Sequence, residues 1–228
     1  MDSTTQVLCG WLIFGGTHTA LSHPPVRDRL VARLGDRGFV GVYSLVAFAS
    51  FVPLVWTFFA NRTATPVPLS ALAAVPGLWW LTMLLMFVAL NLVLLGFSSP
   101  NPVSALVGPA AGSTGRAVGA LRITRHPAFM GVALFGIAHL LVNHAPIDRA
   151  FFGGVALYSV LGCAHQDWRR RVGGAELDRF FAETSFFPFV AIAKRGNRLV
   201  FRELRPVVLL VGTGAFWLLF FSHHRLFA

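Results

Sequence analysis

The sequence predicts an all-α, polytopic membrane bundle of about six transmembrane helices, with the N-terminus outside and a cytoplasmic amphipathic segment. Three observations predict it. Of 228 residues, 55% are hydrophobic and 12% charged, and mean hydropathy is +0.66, too apolar for a water-soluble domain of this size. Several continuously apolar stretches approach the roughly 20 residues that cross a hydrocarbon core about 30 Å thick; a barrel strand would alternate instead. Lys and Arg fall between those stretches.

The elements follow in order. A first helix is expected at residues 5–22. No basic segment precedes it and it continues into an Arg-rich loop, so it is expected to stay in the mature protein. Helices at 38–60 and 75–97 contain no charged residue. The breaker Ser98-Ser99-Pro100-Asn101-Pro102 then opens a cytoplasmic connection over 98–126, with a short interfacial helix at 103–108. Two further spans are expected at 128–145 and 149–166, and a last one at 206–222. Segment 167–205 is charged. Its amphipathic stretch 175–184 is expected to lay Leu177, Phe180 and Phe181 on the bilayer surface, as a lid under the bundle. No repeat divides the chain, so residues 1–228 read as one integral membrane domain.

The net charge of +10 raises the question of nucleic acid, and the placement of the cations answers it. With the N-terminus outside, 16 of the 19 Lys and Arg residues fall on the cytoplasmic side, against Arg62, Arg149 and Arg225 outside. That is positive-inside asymmetry, and a basic surface facing anionic lipid explains the charge with no nucleic-acid partner. The two cysteines, Cys9 and Cys163, sit in apolar surroundings and read as packing residues.

Eight histidines in so apolar a chain need partners or tasks. His23, His144, His223 and His224 fall at helix ends or in loops, where water satisfies an imidazole. His18 lies among small residues in Gly15-Gly16-Thr17-His18-Thr19-Ala20, and His139 in Phe135-Gly136-Ile137-Ala138-His139. Small neighbours leave room for a flat macrocycle, and a neutral imidazole can coordinate its iron. At 1.5 Å per residue, opposed helix directions bring the two within about 8 Å in depth near mid-membrane. One iron held between two helices is then geometrically possible; tight helix packing with each histidine hydrogen-bonded to a neighbour is the alternative. His126, in Arg122-Ile123-Thr124-Arg125-His126-Pro127, and His165, in His165-Gln166-Asp167-Trp168-Arg169, belong to the cytoplasmic side. Arg125, His126, His165 and Asp167 are expected either to form a polar cluster that binds a propionate or relays protons, or to be helix-end charges that mark the membrane boundary. No nucleophile–base triad, phosphate loop, paired carboxylates or zinc spacing is present.

Gly16-Thr17-His18, the segment Gly38 to Leu45, Arg122 through His139, His165-Gln166-Asp167, Thr184-Ser185 with Pro188-Phe189, and the closing His224-Arg225-Leu226-Phe227 together resemble the NnrU family, through nearly the whole chain. These are bacterial membrane proteins linked to nitrite and nitric oxide metabolism, and the zeta-carotene cis-trans isomerases are their relatives. The resemblance implies heme b as cofactor, His18 and His139 as its ligands, an apolar polyene as substrate and the bacterial inner membrane as location. In the isomerases a cysteine one turn before the second histidine replaces a ligand when iron is reduced; here Gly136 stands at that position. Two other readings come from different classes. One is a non-catalytic heme or electron-transfer protein supporting denitrification. The other rests on Arg125-His126-Pro127, Gly131 and Phe180-Phe181-Ala182-Glu183-Thr184, which resemble membrane methyltransferases that bind S-adenosylmethionine; only Asp167 and Leu177 stand where those use a glutamate pair and an aromatic residue.

Overall fold

The computed structural model describes residues 1–62, 75, 77–104, 116–172 and 177–227. Among them every regular element is helical: α1 (Ser3–Ser22), α2 (Pro24–Asn61), α3 (Leu78–Ser98), α4 (Pro127–Leu140), α5 (Pro146–Val172), α6 (Asp178–Glu183), α7 (Val190–Ala193) and α8 (Pro206–Phe227), with 3₁₀ turns at Gly119–Arg122 and Phe201–Glu203. The chain divides into two compact units, Met1–Ala64 with Asn143–Gly154, and Thr65–Val142 with Val155–Ala228.

In the first unit, α1 starts where the Asp2 carboxylate accepts from the Thr5 backbone N–H at 3.0 Å and the Thr5 hydroxyl at 2.7 Å, satisfying a donor that the first helical turn leaves open. The helix packs along α2, and Gly10 lets it approach: a Cβ there would stand 2.9 Å from the Leu54 side chain. An aromatic core joins α1, α2 and the start of α5. Trp11 meets Phe14, Phe51 and Phe151, and Phe58 stacks on Phe151 with centroids 4.0 Å apart. At its edge Arg62 pairs with the buried Asp148 at 3.2 Å and donates to Asn143 Oδ1 at 3.3 Å, so a carboxylate out of water keeps a counter-charge.

In the second unit, α3 packs against both α4 and α8. Two glycines set the first contact: a Cβ on Gly131 would lie 2.6 Å from the Ala89 carbonyl oxygen, and one on Gly96 would lie 2.8 Å from Ala128 Cα. Backbones this close are a known mode of helix association in lipid. Below them Leu92, Ile123 and Leu204 form one buried cluster, and Val103, Leu121 and Phe180 another.

Among the described residues four helices are long and apolar enough to cross a membrane: α2, α3, α5 over Pro146–Arg171 and α8 over Pro206–His223. Their outward side chains are uncovered; Leu45 is 70% exposed, Trp56 75%, Leu210 72% and Phe221 67%. Apolar surface on this scale is stable against acyl chains and not against water. The other two expected spans differ from the four. With 14 residues, α4 rises only about 21 Å. In α1, 20 residues long, Gln6, His18 and four threonines dilute the apolar run.

Several boundaries are corrected. The expected loop after α1 is helical from Pro24 to Leu34, and Gly35 at φ 71° separates that stretch from the apolar remainder of α2. The span expected at 128–145 stops at Leu140, because the chain must turn before Pro146, which opens α5. His139 therefore sits in the last turn of α4 and not deep within a longer helix. The surface role expected of Leu177, Phe180 and Phe181 is overturned: Phe180 is fully buried against Val103 and Leu121, with Leu177 and Phe181 packed on that cluster. A six-residue helix covers the protein's own core here, where hydrophobic burial is already available without lipid. Of the interfacial helix expected at 103–108, residues 105–108 lie outside the described residues, and Val103 and Ser104 are not helical.

Candidate functional site

The principal polar site lies in the second unit, where the segment entering α4 is joined to the one leaving α6. Pro127 occupies the first turn of α4, where its missing N–H costs nothing, so the helix does not run back through the residues before it and these bond elsewhere. Arg125 N–H donates to the Ser185 carbonyl at 3.0 Å, Phe189 N–H to the Ile123 carbonyl at 2.8 Å, and the Thr124 hydroxyl to the Phe186 carbonyl at 2.6 Å. These bonds turn two side chains toward Asp167 on α5.

Arg125 donates from Nη1 to Asp167 Oδ2 at 2.6 Å, from Nη2 to the Thr184 carbonyl at 2.7 Å and from Nε to Thr184 Oγ1 at 3.2 Å. His126 Nε2 donates to the other carboxylate oxygen, Asp167 Oδ1, at 2.7 Å. All four residues are buried: Arg125 is 5% exposed, His126 2%, Asp167 8% and Thr184 5%. A carboxylate this deep is tolerated because both oxygens receive a charged or strong donor. The Arg125 guanidinium also lies over the Phe181 ring at 4.8 Å, and Arg171 lies over the same ring at 4.6 Å. Asn101 adds a further tie, donating from Nδ2 to the Arg125 carbonyl at 2.9 Å while its Oδ1 accepts from Val103 N–H.

Beside the cluster a cleft lined by Asn101, Ser104, His126, Phe129 and Gln166 has room for about one water molecule. Gln166 Oε1 is buried there with no hydrogen-bond partner among the described residues.

Three of the four residues expected in this cluster, Arg125, His126 and Asp167, are brought together. His165 instead stacks on Trp168 with centroids 5.6 Å apart. Thr184 and Asn101 were not foreseen as members. The signal for Thr184 was present: a Thr-Ser hydroxyl pair stands between Phe180-Phe181 and Phe186-Phe187, where a polar residue inside an aromatic run needs a buried partner.

The second location is the end of α4. The His139 Nδ1 lies 2.9 Å from the Phe135 carbonyl oxygen, which can only accept, so Nδ1 carries the donated proton. The imidazole lies against the Phe135 ring at 4.2 Å, and the buried Gly136 presents no side chain one turn earlier. His223, expected to be a solvated helix-end residue, lies with its ring centroid 6.4 Å from that of His139. No spacing in sequence links residues on α4 and α8, so the pairing was not legible. His18 belongs to the first unit, where its ring packs on Tyr43 at 4.3 Å and Phe14 at 5.2 Å. Among the described residues no group of three or more His, Cys, Asp or Glu side chains forms a metal cage; two axial imidazoles do not require one.

Compared with known families, the chain matches the family described as NnrU protein over residues 6–228, nearly its whole length. The chain belongs to the NnrU family. No curated protein and no solved structure matches it. Family membership and four helices able to span a bilayer agree on a membrane protein, and the resemblance seen in Arg122 through His139 and in Thr184-Ser185 falls on the segments that build both locations above.

Proposed function

We propose that this NnrU-family chain is a heme b membrane protein in which His139 and His18 would hold the heme, and that it isomerises a double bond of a long apolar polyene. The observation that carries the reading is the Nδ1–H of His139 held on the Phe135 carbonyl, the kind of bond that orients a ligating imidazole. The residues fit the group: His139 is an imidazole whose ring is held through Nδ1, with a bare glycine one turn away, and His18 has an aromatic wall of Phe14 and Tyr43. Bound there, the iron would supply the chemistry for rotation about one double bond without net oxidation or reduction. The chain's own residues do the rest. Phe135 fixes the His139 ring, the apolar helices admit a lipid-soluble substrate and exclude water, and Asp167 holds the His126 proton at Nε2. Arg125 is committed to Asp167 and Thr184, so the cluster serves this reading as a proton-holding and structural element in preference to a propionate clamp.

Gly136 favours a second reading. With no cysteine at that position, ligand exchange has no donor one turn before His139, which suits a non-catalytic heme or electron-transfer role in nitrite and nitric oxide metabolism.

The purified protein should show a Soret band and a low-spin bis-imidazole spectrum. His139→Ala and His18→Ala should each abolish or convert it, whereas His126→Ala should leave the axial ligands in place. Retention of the parent spectrum in both ligand variants sinks the assignment. Product analysis with zeta-carotene then separates isomerase from non-catalytic heme protein.

A further inference from the structure

The helical stretch 24–34 that opens α2 is absorbed neither by the polar cluster nor by the heme reading. At 100° per residue, Val26, Leu30 and Leu34 occupy an arc of about 80°, with Arg27 about 20° beyond one edge and Arg33 and Arg29 about 20° and 60° beyond the other. Asp28, the acid within the stretch, stands nearly opposite the arc. The apolar arc is not covered by the protein at its ends: Val26 is 37% exposed and Leu34 47%. Arg27 has exposed, long ion pairs to Asp28 at 3.6 Å and Asp36 at 3.9 Å, and its guanidinium lies over the Phe39 ring. Among the described residues no carboxylate pairs with Arg29, Arg33 or Arg37.

The stretch ends at Gly35, φ 71° and ψ 170°, a backbone state that side-chain-bearing residues rarely adopt. A Cβ there would meet nothing within 4 Å, so the glycine is required by the break in the helix and not by close packing. After Asp36 and Arg37, the uncharged part of a span-length helix begins at Gly38. An amphipathic stretch with cations flanking its apolar arc therefore stands at the mouth of a span, where headgroups lie. Lysine and arginine in that position keep their stems on the apolar side and their charges in the phosphate layer.

We propose that residues 24–34 form an interfacial helix that binds the headgroup phosphates of anionic phospholipids through Arg29 and Arg33 on one flank and Arg27 on the other, with Val26, Leu30 and Leu34 seated at the acyl boundary. The partner is fixed by charge: Arg29 and Arg33 are exposed beside the arc, and Arg27 adds a third cation held to Asp28 and Asp36 only by long pairs.

The test uses the full-length protein in mild detergent, with thermal unfolding followed after addition of phosphatidylglycerol or phosphatidylcholine. Phosphatidylglycerol should raise the wild-type midpoint about 4–8 °C more than phosphatidylcholine does. The R29Q/R33Q variant should lose most of that difference while unfolding normally in phosphatidylcholine, and R195Q/R202Q, which removes two exposed arginines elsewhere, should keep it. Equal loss in both double variants, or no lipid preference in the wild type, overturns the proposal. Hydrogen exchange in nanodiscs gives a readout independent of the variants: amides of 24–34 should exchange more slowly in phosphatidylglycerol discs than in phosphatidylcholine discs, and equal rates contradict the assignment. None of these readouts depends on heme.

Discussion

Asp167 is the residue on which the buried cluster turns, since its two oxygens are the shared acceptors of Arg125 and His126. Asp167→Asn removes the charge but keeps the shape, and leaves Arg125 buried without its counter-ion. Breaking a buried pair in this way costs about 3–5 kcal/mol. Thermal unfolding in detergent should therefore fall sharply for Asp167→Asn, whereas Thr184→Ser, which keeps both the hydroxyl and the backbone carbonyl, should stay close to the wild type. A near-neutral Asp167→Asn would mean that the pair contributes nothing to stability. Arg125, His126 and Asp167 were legible as members of one site because ionisable residues at the ends of apolar helices are costly without partners. Asn101 was not, since an amide in a loop is ordinary until its surroundings are known to be dry, and Thr184 was signalled only by the aromatic run around it.

At the scale of elements, the two 3₁₀ turns are tied by Arg122 and Glu203. Arg122 Nε donates to Glu203 Oε2 at 2.6 Å and Nη2 to Oε1 at 3.0 Å, while Gly119 N–H donates to Oε2 at 2.9 Å. The hydrogen bond from Arg122, with that from Gly119, holds the Glu203 carboxyl below the usual range and raises the arginine further. A carboxyl whose folded pKa is depressed contributes stability that is complete above its unfolded value and lost as pH falls through the folded one. Unfolding midpoints should thus decline as pH drops below about 4.5, and Glu203→Gln should flatten that part of the profile while costing about 1 kcal/mol at neutral pH, as suits a partly exposed pair. An unchanged acid limb in Glu203→Gln would dissociate the tie from acid sensitivity. Helix positions were read correctly wherever an apolar run exceeded the membrane thickness. They were misread at the start of α2 and the end of α4, and at α6 the helix was foreseen but its burial was not, because a short amphipathic run looks the same whether its apolar face meets lipid or the protein core.

For the whole molecule, the charge distribution predicts which segments face the cytoplasm. The arginines between Arg169 and Arg205 are expected on the cytoplasmic face. In a C9S/C163S background, Arg195→Cys should react with a membrane-impermeant maleimide only after cells are opened. Labelling of intact cells would invert the topology. The uncovered apolar faces of α2 and α8 require the bilayer in either orientation, because the protein leaves their large side chains exposed.

Composition and the length of apolar runs were sufficient to determine a helical membrane protein, its basic polar segments and the ionisable residues within them, because hydropathy and helix rise are properties of consecutive residues. Which of those residues share a site was decided only by tertiary structure. Thr184 reaches Arg125 across 59 positions, and His223 comes beside His139 through the packing of helices distant in sequence. Contacts of that kind arise from close-packed backbones, here allowed by Gly96 and Gly131, and linear spacing does not encode them.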